Sequence, residues 1–333
     1  MSEMKASDLG ERGIIDLIWS VYKSKVGEEK MRSMPLPPPD DASAVPLPDG
    51  RYLVLKADMF VKRTDAPPRM RHYQMGAKSV VMNISDLAAK GASPIAFLFS
   101  LGVPANYGAS QLRQLMGGIV SATEEYGAPL LGGDVGESRD LVIAGFAAGI
   151  SRSLIKRSGA KPGDILATTG SFGETAAAYK ILLEGKEAPP ALRKALCRSV
   201  FCPRARLREG VRLAESGAIT SSMDSSDGLA FTLWELSRSS GVGFRIDHVP
   251  VAKKAGEFAK LHSLVPLDLA LYGGEEYEIV FTVRPSMWEE ATKAAGGRLI
   301  RLGVAVEGNS VFINQEGKEF PVADRGWEHL RRA

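Results

Sequence analysis

The chain has 333 residues, 44% hydrophobic and 24% charged, and its 42 Lys and Arg against 39 Asp and Glu leave a net charge of +3. That composition excludes wholesale disorder and gives no general case for a nucleic-acid partner, and the length suits two domains of ordinary size. The two cysteines, Cys197 and Cys202, are too few and wrongly spaced for a zinc ribbon or a disulfide framework and suit a reduced cytoplasm. No apolar run approaches the ~20 residues that span a bilayer, and the first twenty residues are charged and amphipathic, unlike a signal peptide.

In chain order, Leu9, Ile14, Leu17, Ile18 and Val21 recur at near-helical spacing and predict a helix over 8–26. Prolines 35, 37, 38 and 39 then stiffen an extended segment that delivers Asp40 and Asp41 in a fixed orientation. "RYLVLKADMF" alternates as a strand reaching Asp58. Residues 74–91 predict a helix with Ala77, Val81, Ile84 and Ala88 on its apolar stripe, Asn83, Asp86 and Lys90 on another, and Gly91 as its cap. A strand at "PIAFLFSLGV", a helix over 109–126, a strand "APLLGGD" and a strand "LVIAGFAAGIS" complete a first half, 1–150. The turn "SGAKPGD" opens a second half, 151–333, with a strand "DILATTG", helices at 172–185, 204–216 and 229–240, and a glycine turn running into the strand "YEIVFTV". Strands and helices mix throughout, so the fold is α/β or α+β. The most basic stretch, 193–212, reads as the solvated face of a helix pair and lacks the exposed aromatics that stack on bases.

Aspartates recur at strand ends and beside glycine: Asp40, Asp41, Asp58, Asp134, Asp224 and Asp227, with Asp86 on a helix rich in small residues. Each alone is an ordinary turn or cap residue. Together they offer the short, hard oxygen ligands that Mg²⁺ takes, and more of them than one ion needs. In "LLGGD" and "YGGEE" the missing Cβ lets backbone N–H groups approach a phosphate or another chain, and "DSSDG" before a helix either caps it or points amides at an anion. There is no GxxxxGK[ST], no kinase catalytic loop and no G-x-G-x-x-G after a strand. The four histidines, at 72, 248, 262 and 329, show no metal-ligand spacing. Phosphate chemistry here would need a nucleotide site of another kind.

"PDDASAV", "NISDLAAKGASP", "LLGGD", "RSGAKPGD", "DSSDG" and "GGEEYE", in this order from about residue 40 to 280, closely resemble the thiamine-monophosphate kinase family of the aminoimidazole ribonucleotide synthetase superfamily, with an echo at "DRGWEHL". The resemblance implies a two-domain aminoimidazole ribonucleotide synthetase-like fold of mixed sheets packed with helices. It also implies a cytoplasmic homodimer whose N-terminal half binds ATP and Mg²⁺ and mediates dimerisation. Thiamine monophosphate and ATP are then the partners, with neither nucleic acid nor membrane. Carried over position by position, Asp40, Asp58, Asp86, Asp134, Asp224 and Asp227 are the Mg²⁺ ligands, for several ions. Gly133, Asp134, Arg157 and Ser226 fall on ATP-binding positions, and Asp65, Glu275 and Trp327 on substrate-binding ones. No side chain need act as general base, because the second pKa of a phosphate monoester, about 6, leaves its oxygen ionised at neutral pH.

The chain departs from the family's common bacterial form, which has Ser/Thr-Thr-Asp where Lys56-Ala57-Asp58 stands, so two hydroxyl metal contacts are missing. A substrate-contacting histidine is replaced by Asp65, and Glu276 extends "GGEE" where the family has "GGED". These changes resemble the archaeal branch. Lys56 is either a positive charge near phosphate or a surface strand lysine. Sister enzymes of the superfamily, aminoimidazole ribonucleotide synthetase above all, and a catalytically silent nucleotide binder are the alternatives.

Overall fold

The structure is a computed structural model and describes residues 4–330. Two sheets form its frame. The first holds β1 (Ser43–Pro46), β2 (Tyr52–Val61), β3 (Ser93–Val103), β4 (Leu130–Glu137) and β5 (Val142–Ser151), in the order β1-β2-β5-β3-β4. The second holds β6 (Ile165–Thr168), β7 (Ile219–Asp224), β8 (Gly243–Ile246), β9 (Ile279–Val283), β10 (Ile300–Val306), β11 (Val311–Gln315) and β12 (Lys318–Pro321), in the order β12-β11-β8-β10-β6-β9-β7. Pairing is antiparallel except for β3 with β4 and β8 with β11. Both sheets are mixed and packed with helices, as the order of elements predicts. Among the described residues no helix is long and apolar enough to cross a membrane.

The alternation in β2 sorts its side chains onto two faces. Val54 and Phe60 are fully buried, and Lys56 and Asp58 share their face. Leu55, Ala57 and Met59 point the other way and are exposed. Pairing extends this outer face across the sheet. Ala57 lies opposite Phe146 and Phe146 opposite Leu98, while Met59, Ala144, Ser100 and Asp134 form the next row.

The helix His72–Ala89 lies against the inner face and is buried nearly all round. Its apolar stripe, including Ile84 and Leu87 at 0% exposure, packs on the first sheet. On its flank the helix Ala109–Glu125 comes close enough that a Cβ at Gly76 or Gly118 would stand 2.1 Å from the Leu115 carbonyl oxygen or 1.9 Å from that of Tyr73. Its C-terminal turn meets β7 and the helix Leu207–Glu215 of the second half. A helix so enclosed can carry polar side chains only where they find partners, and Lys78, Ser85, Asp86 and Lys90 find theirs in the other elements around it.

Prediction and structure differ where periodicity is weak. The first helix, Ala6–Val26, is interrupted at Gly10, whose backbone is non-helical. The helices Lys253–Leu261 and Pro266–Tyr272 and the strands β1, β7, β8 and β10 to β12 are short and carry no clear pattern, whereas Pro190–Phe201 and Leu207–Glu215 are the helix pair expected around 193–212. Cys197 is buried and Cys202 exposed, both as free thiols.

Candidate active site

Between the two halves lies a cavity of about 760 Å³, lined by Asp40, Asp41, Lys56, Asp58, Asp65, Asp86, Arg157, Asp224, Ser226, Asp227, Glu275, Tyr277 and Trp327, among others. Four chain segments converge on it. The proline segment brings Asp40 and Asp41, β2 brings Lys56 and Asp58, the buried helix brings Asp86, and the turn after β7 brings Asp224 to Asp227.

Asp41, Asp86 and Asp224, all buried, each offer a carboxylate oxygen within 4.8 Å of the other two. Ser85 Oγ donates to Asp224 Oδ2 at 2.6 Å, and Ser226 Oγ to Asp224 Oδ1 at 3.4 Å. Lys56 Nζ lies 2.8 Å from Asp86 Oδ2 and 3.9 Å from Asp58 Oδ2. Lys90, fully buried, sets its ammonium 2.6 Å from Asp40 Oδ1 and 2.7 Å from Asp41 Oδ2, and donates to the Ser222 carbonyl at 2.8 Å. Arg157 Nε donates to Asp41 Oδ1 at 2.7 Å, and its backbone N–H to Asp40 Oδ2 at 3.1 Å.

Charge follows from this arrangement. Burial works to raise the Asp41 pKa, but Arg157 and Lys90 outweigh it and hold the carboxyl below its usual range. Burial raises Asp86 well above its ordinary value, with Lys56 opposing and Asp224, Asp41 and Asp58 adding. Burial and then Asp41 push Asp224 up to about 6, and burial, Glu11 and Asp224 push Asp227 up to about 8. Carboxylates crowded out of water resist ionisation unless a cation joins them. Hard oxygens grouped at this spacing are ones that a divalent cation takes, and Asp41, Asp86 and Asp224 are the group that could hold one.

The opposite wall is built by "YGGEEYE". The Glu275 N–H donates to the Ser226 carbonyl at 2.6 Å, and the Trp327 N–H to that of Asp227 at 3.0 Å, so this turn and the C-terminal segment are pinned to "DSSDG". Glu275 and Tyr277 both take positive φ, 64° and 53°, a strained backbone for side chains of this size. The Glu275 carboxylate accepts from Lys78 Nζ and from the Tyr179 hydroxyl. Asp65 faces the same cavity but accepts the Val61 N–H at 2.6 Å, closing the short turn Lys62–Asp65. Trp327 is 52% exposed at the rim.

Of the residues singled out in the sequence, Asp40, Asp58, Asp65, Asp86, Arg157, Ser226, Asp224, Asp227, Glu275 and Trp327 are thus brought to one cavity. Asp40 is engaged by Lys90 and the Arg157 backbone, and its neighbour Asp41 joins Asp86 and Asp224 instead. Gly133 and Asp134 are not brought there: they lie on β4, at the exposed edge of the first sheet, and do not line this cavity. Of the two departures in β2, Lys56 faces the cavity and Ala57 the outer face. Lys78 and Tyr179, which hold Glu275, carried no sequence signal; Lys90 did, by sharing a stripe with Asp86.

Comparison with known proteins agrees with this architecture. Residues 39–151 match the family model "AIR synthase related protein, N-terminal domain", and residues 161–314 the corresponding C-terminal domain. The two matches together place the chain in the AIR synthase related class. Within it, the thiamine-monophosphate kinase of Pyrococcus horikoshii is 40% identical over 294 residues, 88% of this chain and 90% of that protein. That of Nitrosopumilus maritimus is 35% identical over 84% of this chain and 89% of its own length. A solved structure of AaThiL complexed with AMPPCP and TMP superposes with a TM-score of 0.86 at 28% identity, covering 99% of this chain and all of that one. The hydrogenase maturation protein HypE shares the fold, with a TM-score of 0.67 at 18% identity over 90% of this chain and 97% of its own. The chain belongs to the thiamine-monophosphate kinase family.

Proposed function

We propose that this chain is an ATP-dependent kinase that phosphorylates thiamine monophosphate to thiamine diphosphate by direct in-line transfer. The observation that carries the reading is the buried triad Asp41, Asp86 and Asp224 at the floor of a cavity between the two halves. These three carboxylates would hold Mg²⁺, which when bound would supply charge neutralisation between the phosphate of one substrate and the γ-phosphoryl of the other. Asp58 and Asp227 lie at the same cavity as further carboxylates for several ions, and Asp40 through Lys90. Arg157 and Ser226 face the nucleotide. Trp327 offers an aromatic face and Glu275 a carboxylate, which suits a flat, cationic aminopyrimidine–thiazolium. Asp65, turned to the same space, borders the substrate there. The acceptor phosphate is already ionised at neutral pH, so these groups orient and screen without removing a proton. The purified protein with ATP, Mg²⁺ and thiamine monophosphate is expected to form ADP and thiamine diphosphate one-to-one. ATP binding without turnover would favour the silent binder, and ATP turnover without thiamine diphosphate would favour a sister enzyme of the superfamily.

The same reading includes a cytoplasmic homodimer and a division near residue 150, the first half carrying most of the ATP and Mg²⁺ contacts and the dimer face. Leu55, Met59, Leu98 and Phe146, each 40% exposed or more, spread an apolar surface over the outer face of the first sheet, and the edge strand β4 is unpaired on one side. Asp134 lies on this face, so a second copy covering it is the arrangement under which Gly133 and Asp134 serve ATP. Phe146→Asp is expected to give a folded monomer in analytical ultracentrifugation, with at least a 100-fold loss of turnover, on the order of 3 kcal/mol. A dimer that persists in this variant would place the contact elsewhere.

A further inference from the structure

We infer that Lys56 is a built-in cation that takes the place of one divalent ion in the carboxylate cluster, an inference that rests on the reading of this cavity as the Mg²⁺ and ATP site. Lys56 and Asp58 are two residues apart on β2 and therefore share the inner face. The ammonium reaches past Asp58 to Asp86 Oδ2 at 2.8 Å, while Asp86 also belongs to the triad with Asp41 and Asp224. It thus stands between Asp58 and Asp86, where two carboxylates would otherwise face each other without a counter-charge. The side chain is 19% exposed, so the ammonium meets these carboxylates largely shielded from solvent. A tethered ammonium cannot bridge phosphates at several coordination positions as a metal does, but it needs no free ion to be present. Lys56 then neutralises one oxygen of Asp86, with Asp58 beyond it at 3.9 Å, at a position that one of the divalent ions would otherwise hold.

The test counts Mn²⁺ bound to the purified protein by electron paramagnetic resonance, with and without AMPPCP and without thiamine monophosphate, so it stands whether or not the chain turns that substrate over. Lys56→Met, which keeps the length and removes the charge, is expected to hold one more Mn²⁺ per chain than the wild type, or to hold the weakest one at least 10-fold more tightly. Lys56→Arg is expected to keep the wild-type count. Equal counts and affinities in the wild type and Lys56→Met would overturn the inference. A second readout uses the wild type alone: acetylation of Lys56, followed by mass spectrometry, is expected to be unchanged by Mn²⁺. A rise on adding Mn²⁺ would mean that the ion displaces the ammonium, and would overturn it even if Lys56→Met does not fold.

Discussion

Asp224→Asn is expected to lower kcat/KM for thiamine monophosphate about a thousandfold, ~4 kcal/mol of transition-state stabilisation, while leaving the fold intact. Asparagine keeps the shape of the side chain and an oxygen to accept the 2.6 Å hydrogen bond from Ser85, so the turn after β7 retains its support. What it loses is one negative charge from the triad that would hold Mg²⁺. The stability readout separates this from a damaged fold. The folded-state pKa of Asp224 is raised to about 6, chiefly by burial and then by Asp41, so its ionisation opposes folding in the metal-free protein. Asp224 is therefore expected to contribute a loss of stability to the wild type, relative to Asp224→Asn, as pH rises from about 4 to 6 when no divalent ion is present. Asp224→Asn is expected to lack that loss and to melt at or above the wild type there, yet to gain less on adding Mg²⁺. A variant that keeps wild-type turnover would remove Asp224 from the site.

Lys90→Ala is expected to lower the unfolding free energy at pH 7 by about 3–5 kcal/mol, because it strips the counter-charge from buried carboxylates. The lysine is fully buried, 2.6 Å from Asp40 and 2.7 Å from Asp41, and its remaining hydrogen goes to the Ser222 carbonyl of β7. It therefore ties the proline segment, the central helix and the second sheet together at one point. Removing it leaves Arg157 as the remaining cation against Asp41, and the segment that presents both aspartates is loosened. Asp41 is held below its usual pKa in the fold, so its contribution is present above the ordinary carboxylate range and fades as pH falls through it. Denaturant unfolding at pH 7 and pH 4 is expected to show a gap between wild type and variant that narrows at the lower pH. A gap that stays below about 1 kcal/mol at both would show that the ion pair does not outweigh its own desolvation.

Much of this site was legible because its carboxylates sit where sequence signals are strongest, at strand ends and glycine turns. "DSSDG" could be read as ligands or as a cap, and the structure puts Asp224 into a buried triad while the helix begins at Leu229. The neighbouring Asp40 and Asp41 could not be told apart, since both leave the same rigid segment. Which of them joins Asp86 depends on where Lys90 and Arg157 arrive, and long side chains give no periodic clue to their destination. Lys56 remained ambiguous for the same reason: alternation fixes the face of β2 it occupies but not which face meets the central helix. Asp134 shows a different gap. "LLGGD" marks a backbone that a ligand can approach, but in a single chain it lies on an open apolar face, remote from the other aspartates in the lining of the cavity. The short strands β1, β7, β8 and β10 to β12 carry little pattern in four to seven residues between turns, and their place is set by pairing with their neighbours in the two sheets.

The central claim is the transfer of the γ-phosphoryl group from ATP to thiamine monophosphate. Its most direct test traces ATP made isotopically chiral at the γ-phosphorus through a single turnover, with the products separated and the configuration read. The account predicts that the label arrives in the terminal phosphoryl group of thiamine diphosphate with inverted configuration, one for each ADP formed. Label released as inorganic phosphate without thiamine diphosphate would contradict the kinase, and retention of configuration would contradict direct transfer.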